Sequence, residues 1–461
     1  GTKDVFVTLP ASKTILLNNS GTVDINGNLD VDGGSIKLDG NYPTGTGNVA
    51  LGDTALDSVE AGAIYNVAIG NAAGTAITTG DCNVAIGRNS LKSTTTSSGN
   101  VAIGMTAMCN NITGTQSVAI GNEALFKNES GNCNVAIGFQ SLKCNTVGNM
   151  TAVGSCALFT NSTGTGNTAV GYFANKLNTT GTDNTSVGRE ALEANTTASG
   201  NTAVGYQSLT LNTTGGSNTA LGQLAMCAST EGEANTAVGR LALAKNTTAD
   251  NNTAVGAQSL RCVTTNGDNT AVGTLALNKS TASNSTAVGA CALRCNTTGT
   301  DNTAMGACAL NLNSSGAYNS AFGYRSLDSS TSANSNTAVG FHSMCKTTTG
   351  ANNTAVGFCS LQANTTGASN VAVGYNSMLT NTEGANNVAM GVLALEMNTT
   401  GDGNTAIGRE ALEANQTADN NTAVGLKALE ANTTGAQSVA VGVEALKTQT
   451  TGNNNSAFGF C

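Results

Sequence analysis

A short phrase, Asn, then Thr or Val, then Ala, then Val or Ile, then Gly, recurs at a nearly fixed interval through most of the chain. It runs from Asn48-Val49-Ala50-Leu51-Gly52 to Ser456-Ala457-Phe458-Gly459. Its closing glycine falls at 52, 70, 87, 104, 121 and onward to 442 and 459, giving twenty-five copies about 17 residues apart. A short fixed period over so much chain builds one small unit stacked on itself, not a set of ordinary globular domains.

Composition then excludes several classes. The 461 residues contain no Trp, aromatic residues are 4% and charged residues 10%. So polar a chain resembles a disordered one, but disorder does not hold Leu and Val at constant phase through every copy. A net charge of −9 without any basic run argues against nucleic acid as a partner. No apolar stretch approaches the length of a membrane span, so no membrane insertion is expected. The thirteen cysteines form no CxxC pair, which argues against a zinc site. Cys291 and Cys308 share a phase on adjacent copies; at a coil spacing of about 4.8 Å they form a ladder, either as thiols or as a disulfide.

Residues 1–47 lack the repeat. Alternation at Val5, Val7 and Leu9, at Val23 and Ile25, and at Ile36 and Leu38 predicts short half-buried strands, with Asn26-Gly27 and Asp32-Gly33 as turns. This is read as an N-terminal β segment that caps or attaches the repeat domain, 48–461.

Counting from each closing glycine as zero, position 4 is Leu or Met in nearly every copy, position 7 is often the Asn of Asn-Thr-Thr-Gly, and position 13 is usually Asn. Position 15 is Ala in every copy but one, Ser186, and position 16 is usually Val or Ile. Strand alternation puts 14 and 16 on one face and 15 on the other. The predicted core pairs Leu91, Leu125, Leu192 and Leu412 at position 4 with Ile103, Ile137, Val204 and Val424 at position 16, from two short strands on either side of the glycine corner. The Asn-Thr-Thr-Gly stretch is the return turn, its glycine supplying positive φ. The Ala ladder, with Ala102, Ala119, Ala136, Ala203, Ala237 and Ala254, is then expected to meet a neighbouring subunit.

The phrases Val101-Ala102-Ile103-Gly104, Val118-Ala119-Ile120-Gly121 and Val135-Ala136-Ile137-Gly138 resemble the head repeat of trimeric autotransporter adhesins, the YadA-like left-handed parallel β-roll, and similar repeats of bacteriophage tail fibres. The resemblance covers residues 48–461 well and 20–47 loosely. It implies a left-handed coil, which the period alone does not set, and a homotrimer around a common axis.

Catalytic chemistry finds little to work with. His342 is the only histidine, so no His-dependent triad or His-rich metal site can form in one chain. Arg189-Glu190 with Glu193 is echoed by Arg409-Glu410 with Glu413, about thirteen coils away, and both read as solvated pairs. Asp32-Gly33-Gly34 occurs once, whereas calcium solenoids repeat such a motif. No enzyme, cofactor or metal is expected. The Asn-Thr-Thr triplets match the N-glycosylation sequon, but their regular place in the turn is a structural reason for them.

The composite expectation is an all-β, left-handed parallel β-solenoid of about 25 coils. As function it suggests a homotrimeric rod of a virion tail fibre or a cell-surface adhesin, contacting other fibre or virion proteins. Outward residues at positions 1, 2, 5 and 6 would meet a receptor or glycan. Two alternatives stay open. One is an extracellular filament in which 1–47 docks near Phe458-Gly459-Phe460-Cys461 of the next molecule. The other is ice binding by stacked threonines such as Thr179-Thr180, Thr213-Thr214 and Thr433-Thr434.

Overall fold

The computed structural model describes residues 44–460, all within one compact unit, 42–461. The strands predicted around Val5, Val23 and Ile36 lie outside the described residues. The rest is a parallel β-solenoid of twenty-five three-residue strands, from β1 (Val49–Leu51) to β25 (Ser456–Phe458), joined into one sheet. Each strand pairs in register with the copy before and after it, as in Thr202↔Thr219, Ala203↔Ala220 and Val204↔Leu221. The one-to-one register follows from the period: each coil returns the same residue to the same place, so each ladder stacks like on like.

Each coil contains one strand, not the two expected. The stretch after the glycine corner, positions 1 to 6, is a run of turns. Its backbone uses the left-handed region at residues that do not advertise it: in one coil Gln207, Leu209 and Ser217 have φ of 51°, 51° and 58°. Corner glycines such as Gly205, at φ 134°, have a second constraint, because a Cβ there would lie 2.6 Å from the carbonyl oxygen of Gly222. The return-turn glycine was expected to need positive φ and does not. Gly181 and Gly435 lie outside that region, and Ala198 and Ala249 fill the same place elsewhere.

The structure inverts the two faces assigned from sequence. The middle residue of each strand points into the coil: Ala102, Ala119, Ala136, Ala203, Ala237 and Ala254 are all fully buried within a single chain. They are core and cannot be the subunit-contact ladder. Leu91, Leu125, Leu192 and Leu412 are buried as expected, but their partners are these alanines. Val204 is 37% exposed, and Ile103, Ile137 and Val424 are likewise only partly covered on the outward side. The reason is volume. A 17-residue coil encloses room for Leu opposite Ala, with a second small residue, Ala or Ser, at position 3, such as Ala191, Ser208 and Ala225; a β-branched residue at position 15 would overfill it.

The interior is also wired with amides. At position 13, Asn201 donates its backbone N–H to Asn184 Oδ1 at 3.0 Å, and its own Oδ1 accepts from Asn218 N at 2.9 Å. At position 7, Asn195 Nδ2 donates to Asn178 Oδ1 at 2.8 Å, and Asn212 Nδ2 to Asn195 Oδ1 at 3.1 Å. Both amide ladders converge on the return turn, where the Gly215 carbonyl accepts from Asn201 and from Asn212 at 3.0 and 2.9 Å. Buried asparagine is tolerated because the coil below supplies its partner. It also closes the sequons: Asn178 and Asn432 are fully buried.

Candidate functional site

The strand that buries Ala must turn its two flanking residues outward, so the sheet presents two parallel ranks, positions 14 and 16, along its whole length. The outward residues are Val, Thr or Ser in the first rank and Val, Ile, Leu, Met or Phe in the second, with no charge in either rank on any of the twenty-five described strands. Between the two end strands the most exposed residues of the second rank are near two-fifths exposed: 36% at Ile120, 37% at Val204 and Phe322, and 43% at Met390. Strands about 4.8 Å apart and outward residues nearly 7 Å apart within a strand make a strip of roughly 115 by 7 Å, or about 800 Å². The first rank is Thr or Ser on sixteen of the twenty-five strands, so the strip is charge-free throughout but apolar along its whole length only in the second rank. Its apolar part reaches the upper end of the roughly 300–600 Å² that a monomeric protein exposes. A stable protein–protein contact covers about 800 Å² per partner.

One residue past the glycine corner, position 1 borders this strip. Here Tyr324, Phe341, Phe358 and Tyr375 stack on successive coils with ring centroids 5.4, 5.1 and 5.4 Å apart. Each is 43–51% exposed.

The turns at positions 1, 2 and 5 hold the ion pairs. Arg189 Nε pairs with Glu190 Oε1 at 2.8 Å, and Gln207 Nε2 donates to Glu190 Oε2 at 2.7 Å. The Gln207 bond first, then Arg189, hold the Glu190 carboxyl below its ordinary range. The echo at Arg409 and Glu410 is longer: Lys427 bridges Glu410 at 2.7 Å and Glu430 at 2.8 Å, and Lys447 continues to Glu444 at 2.8 Å. Glu410, Glu413 and Glu430 bring carboxylate oxygens within 4.8 Å of one another, the one geometry among the described residues with metal-ligand spacing. Lys427 already occupies two of the three. Burial, then Glu410, push the Glu413 carboxyl upward.

His342 lies on the outward turn, stacked on Phe341 at 4.2 Å, with Gln362 Nε2 3.5 Å from its Nδ1. Burial pushes its pKa down. Among the described residues, no serine hydroxyl or cysteine thiol is hydrogen-bonded to its ring. Cys291 and Cys308 occupy position 2 of adjacent coils as free, half-buried thiols, and burial pushes Cys308 up.

The threonine pairs proposed for ice split in their roles. At position 8, Thr179 and Thr213 donate their hydroxyls to the carbonyls of Thr196 and Thr230, at 2.9 and 3.0 Å. At position 9, Thr180 and Thr214 are exposed. A second threonine rank, position 14 of most strands from Thr151–Val153 to Thr354–Val356, lies on the sheet itself. These threonines are plain in the sequence, but placing position 14 on the core face hides their exposure.

Among the described residues no helix is long and apolar enough to cross a membrane. No family model matches the chain, and the comparison with characterised proteins finds no relative.

Proposed function

We propose that this chain is the subunit of a self-associated structural rod, a homotrimeric fibre of the kind found in virion tail fibres and cell-surface adhesins. The observation that supports it is the charge-free strip of positions 14 and 16. An unbroken apolar rank at position 16 on a solvent-facing sheet is costly, whereas a second copy presents the same residues at the same spacing and covers it rank against rank. The trimer number comes from the resemblance of the repeat to three-chain β-rolls. Receptor, glycan or other virion protein contacts then fall to the outward turns at positions 2, 5 and 6, where three chains multiply weak contacts.

Light scattering at two concentrations tests this reading. A concentration-independent mass near three times the 45.7 kDa chain supports it. The variant Val204→Lys, Val238→Lys and Val272→Lys should lower the mass to that of one chain while keeping β circular dichroism. A native monomer overturns the proposal.

A second reading uses the same face. Threonine at 14 beside valine at 16 makes a flat two-rank array, which places ordered water on a regular lattice if it stays uncovered. The two uses exclude each other. A monomer with thermal hysteresis supports ice binding; an oligomer without hysteresis removes it. The filament scheme depends on 1–47, nearly all of it outside the described residues.

A further inference from the structure

A rod built of near-identical coils has a register problem. If copies associate through positions 14 and 16, a slip by one coil costs the contacts of one end coil out of twenty-five and some matched pairs, because most places in the first rank are Val or Thr and most in the second are Val or Ile. Sheets whose pattern does not distinguish registers are prone to slippage. A single assembled state therefore needs a feature that is not periodic.

Position 1 contains one. Four consecutive coils have small residues there, Ala257, Thr274, Ala290 and Ala307, and the next four have the aromatic ladder Tyr324, Phe341, Phe358 and Tyr375. Tyr324 follows the exposed outward Phe322 across a single glycine, so the ladder borders the proposed contact strip. The change from four small residues to four stacked rings is a step in height along the rim. The rings cover each other's faces and leave their edges exposed, at 43–51% exposure. Such a ridge is rigid and resists flattening against a mismatched partner.

We infer that this step is the register key of the assembly, and that its partner is the same ladder on a second copy of this chain. The inference rests on the self-association proposed above. In a closed symmetric assembly equivalent residues lie at equal height, so ridge borders ridge and the small stretch borders the small stretch. A slip of one coil sets Tyr324 of one copy beside Ala307 of the next and leaves a ring edge without a neighbour. A stagger of four coils would instead seat ridge on hollow throughout, and that arrangement does not close: it propagates into an open filament.

The test places a photoreactive benzophenone amino acid at Val238, on the outward rank, and maps cross-linked peptides by mass spectrometry. Coils differ enough in their turn residues for each peptide to be assigned. In the otherwise native chain, cross-links should fall on the partner's coil at the same height. The variant Tyr324→Ala, Phe341→Ala, Phe358→Ala and Tyr375→Ala removes the ridge using a residue the chain already has at that place. Its mass should be unchanged while cross-links spread at comparable yield to the coils on either side. The converse variant, Ala257→Tyr, Thr274→Phe, Ala290→Phe and Ala307→Tyr, fills the hollow and should spread them as well, so the test survives if one variant misfolds. Cross-links that stay on one coil in both variants overturn the register key but leave the rod intact. Native cross-links displaced by four coils overturn it in favour of the stagger. A native monomer brings down the self-association itself.

Discussion

Adjacent residues of one strand live under opposite rules. On the inner face, position 15 is Ala in all but one coil and is buried without exception among the strands from β2 (Val67–Ile69) to β24 (Val439–Val441). On the outer face of the same strands, one residue away, position 16 accepts Val, Ile, Leu, Met and Phe, none of them buried. The inside is limited by volume and the outside by charge. The inner ladder excludes anything larger than its fixed gap, and the outer rank accepts any apolar side chain.

The sharpest way to break this comparison is to place one side chain on each face in turn. Ala254→Phe puts a ring into a close-packed interior cluster that already holds Leu243 and Leu260. It should cost about 3 kcal/mol or more, or prevent folding, since close-packed cores relax poorly around added volume. Val255→Phe, the next residue, should change stability by less than about 1 kcal/mol, because Phe322 already occupies that place in another coil. Guanidinium denaturation of the two variants checks the pair. Equal losses would mean that the two faces do not differ in packing.

How far the sequence disclosed the molecule follows from the same contrast. The period, the strand at positions 14 to 16, the corner glycine and the buried Leu at position 4 were legible, because each is a recurring residue type with one physical use. The faces were not, because ranking Val above Ala by hydrophobicity ignores the coil's width. A signal was present: position 3, opposite the sheet, is Ala or Ser in every coil, as in Ala174, Ala191 and Ser208, and two strictly small positions mark a narrow interior. The left-handed residues were hidden, since Gln207 and Leu209 have no special tolerance for positive φ. Stacking imposes it on them. The outer strip was legible as a lack of charge but was assigned to the core.

A subtler break lies inside. At position 4, where the other coils between Leu91 and Leu446 have Leu or Met, one has Asn175. Its side chain is fully buried, and neither its Oδ1 nor its Nδ2 has a hydrogen-bond partner. The apolar core divides there: one cluster ends at Ala174 and the next begins at Ala191. Asn suits φ 48° better than Leu does, which offsets part of the cost. Even so, an unsatisfied buried amide costs about 1–3 kcal/mol. Asn175→Leu should therefore stabilise by about 1–3 kcal/mol and join the two clusters. Solenoids unfold through nearest-neighbour interfaces, so the gain should appear as slower amide hydrogen exchange around Leu158 and Leu192. Unchanged or faster exchange there would mean that the amide is satisfied in solution.

The outer surface should give the smallest effect, with a definite pH signature. Lys143 Nζ lies 2.8 Å from Glu123 Oε2, and Gln140 Nε2 donates to the same oxygen at 2.6 Å. The Lys143 hydrogen bond first, then that of Gln140, hold the Glu123 carboxyl below its ordinary value. A carboxylate depressed in the folded state contributes stability that is present above the unfolded pKa, about 4.3. That contribution fades as pH falls through the folded value. Glu123→Gln should therefore destabilise the chain at pH 7 by less than about 1 kcal/mol, because the pair is partly solvated. The gap to the native chain should begin to narrow as pH falls below about 4.3, the unfolded value, and shrink in high salt. Denaturation of both chains from pH 7 to pH 2.5 reads it. A gap that persists at the acid end would show that shape, not charge, distinguishes the two side chains, and the outer surface would then be limited by packing as the inner one is.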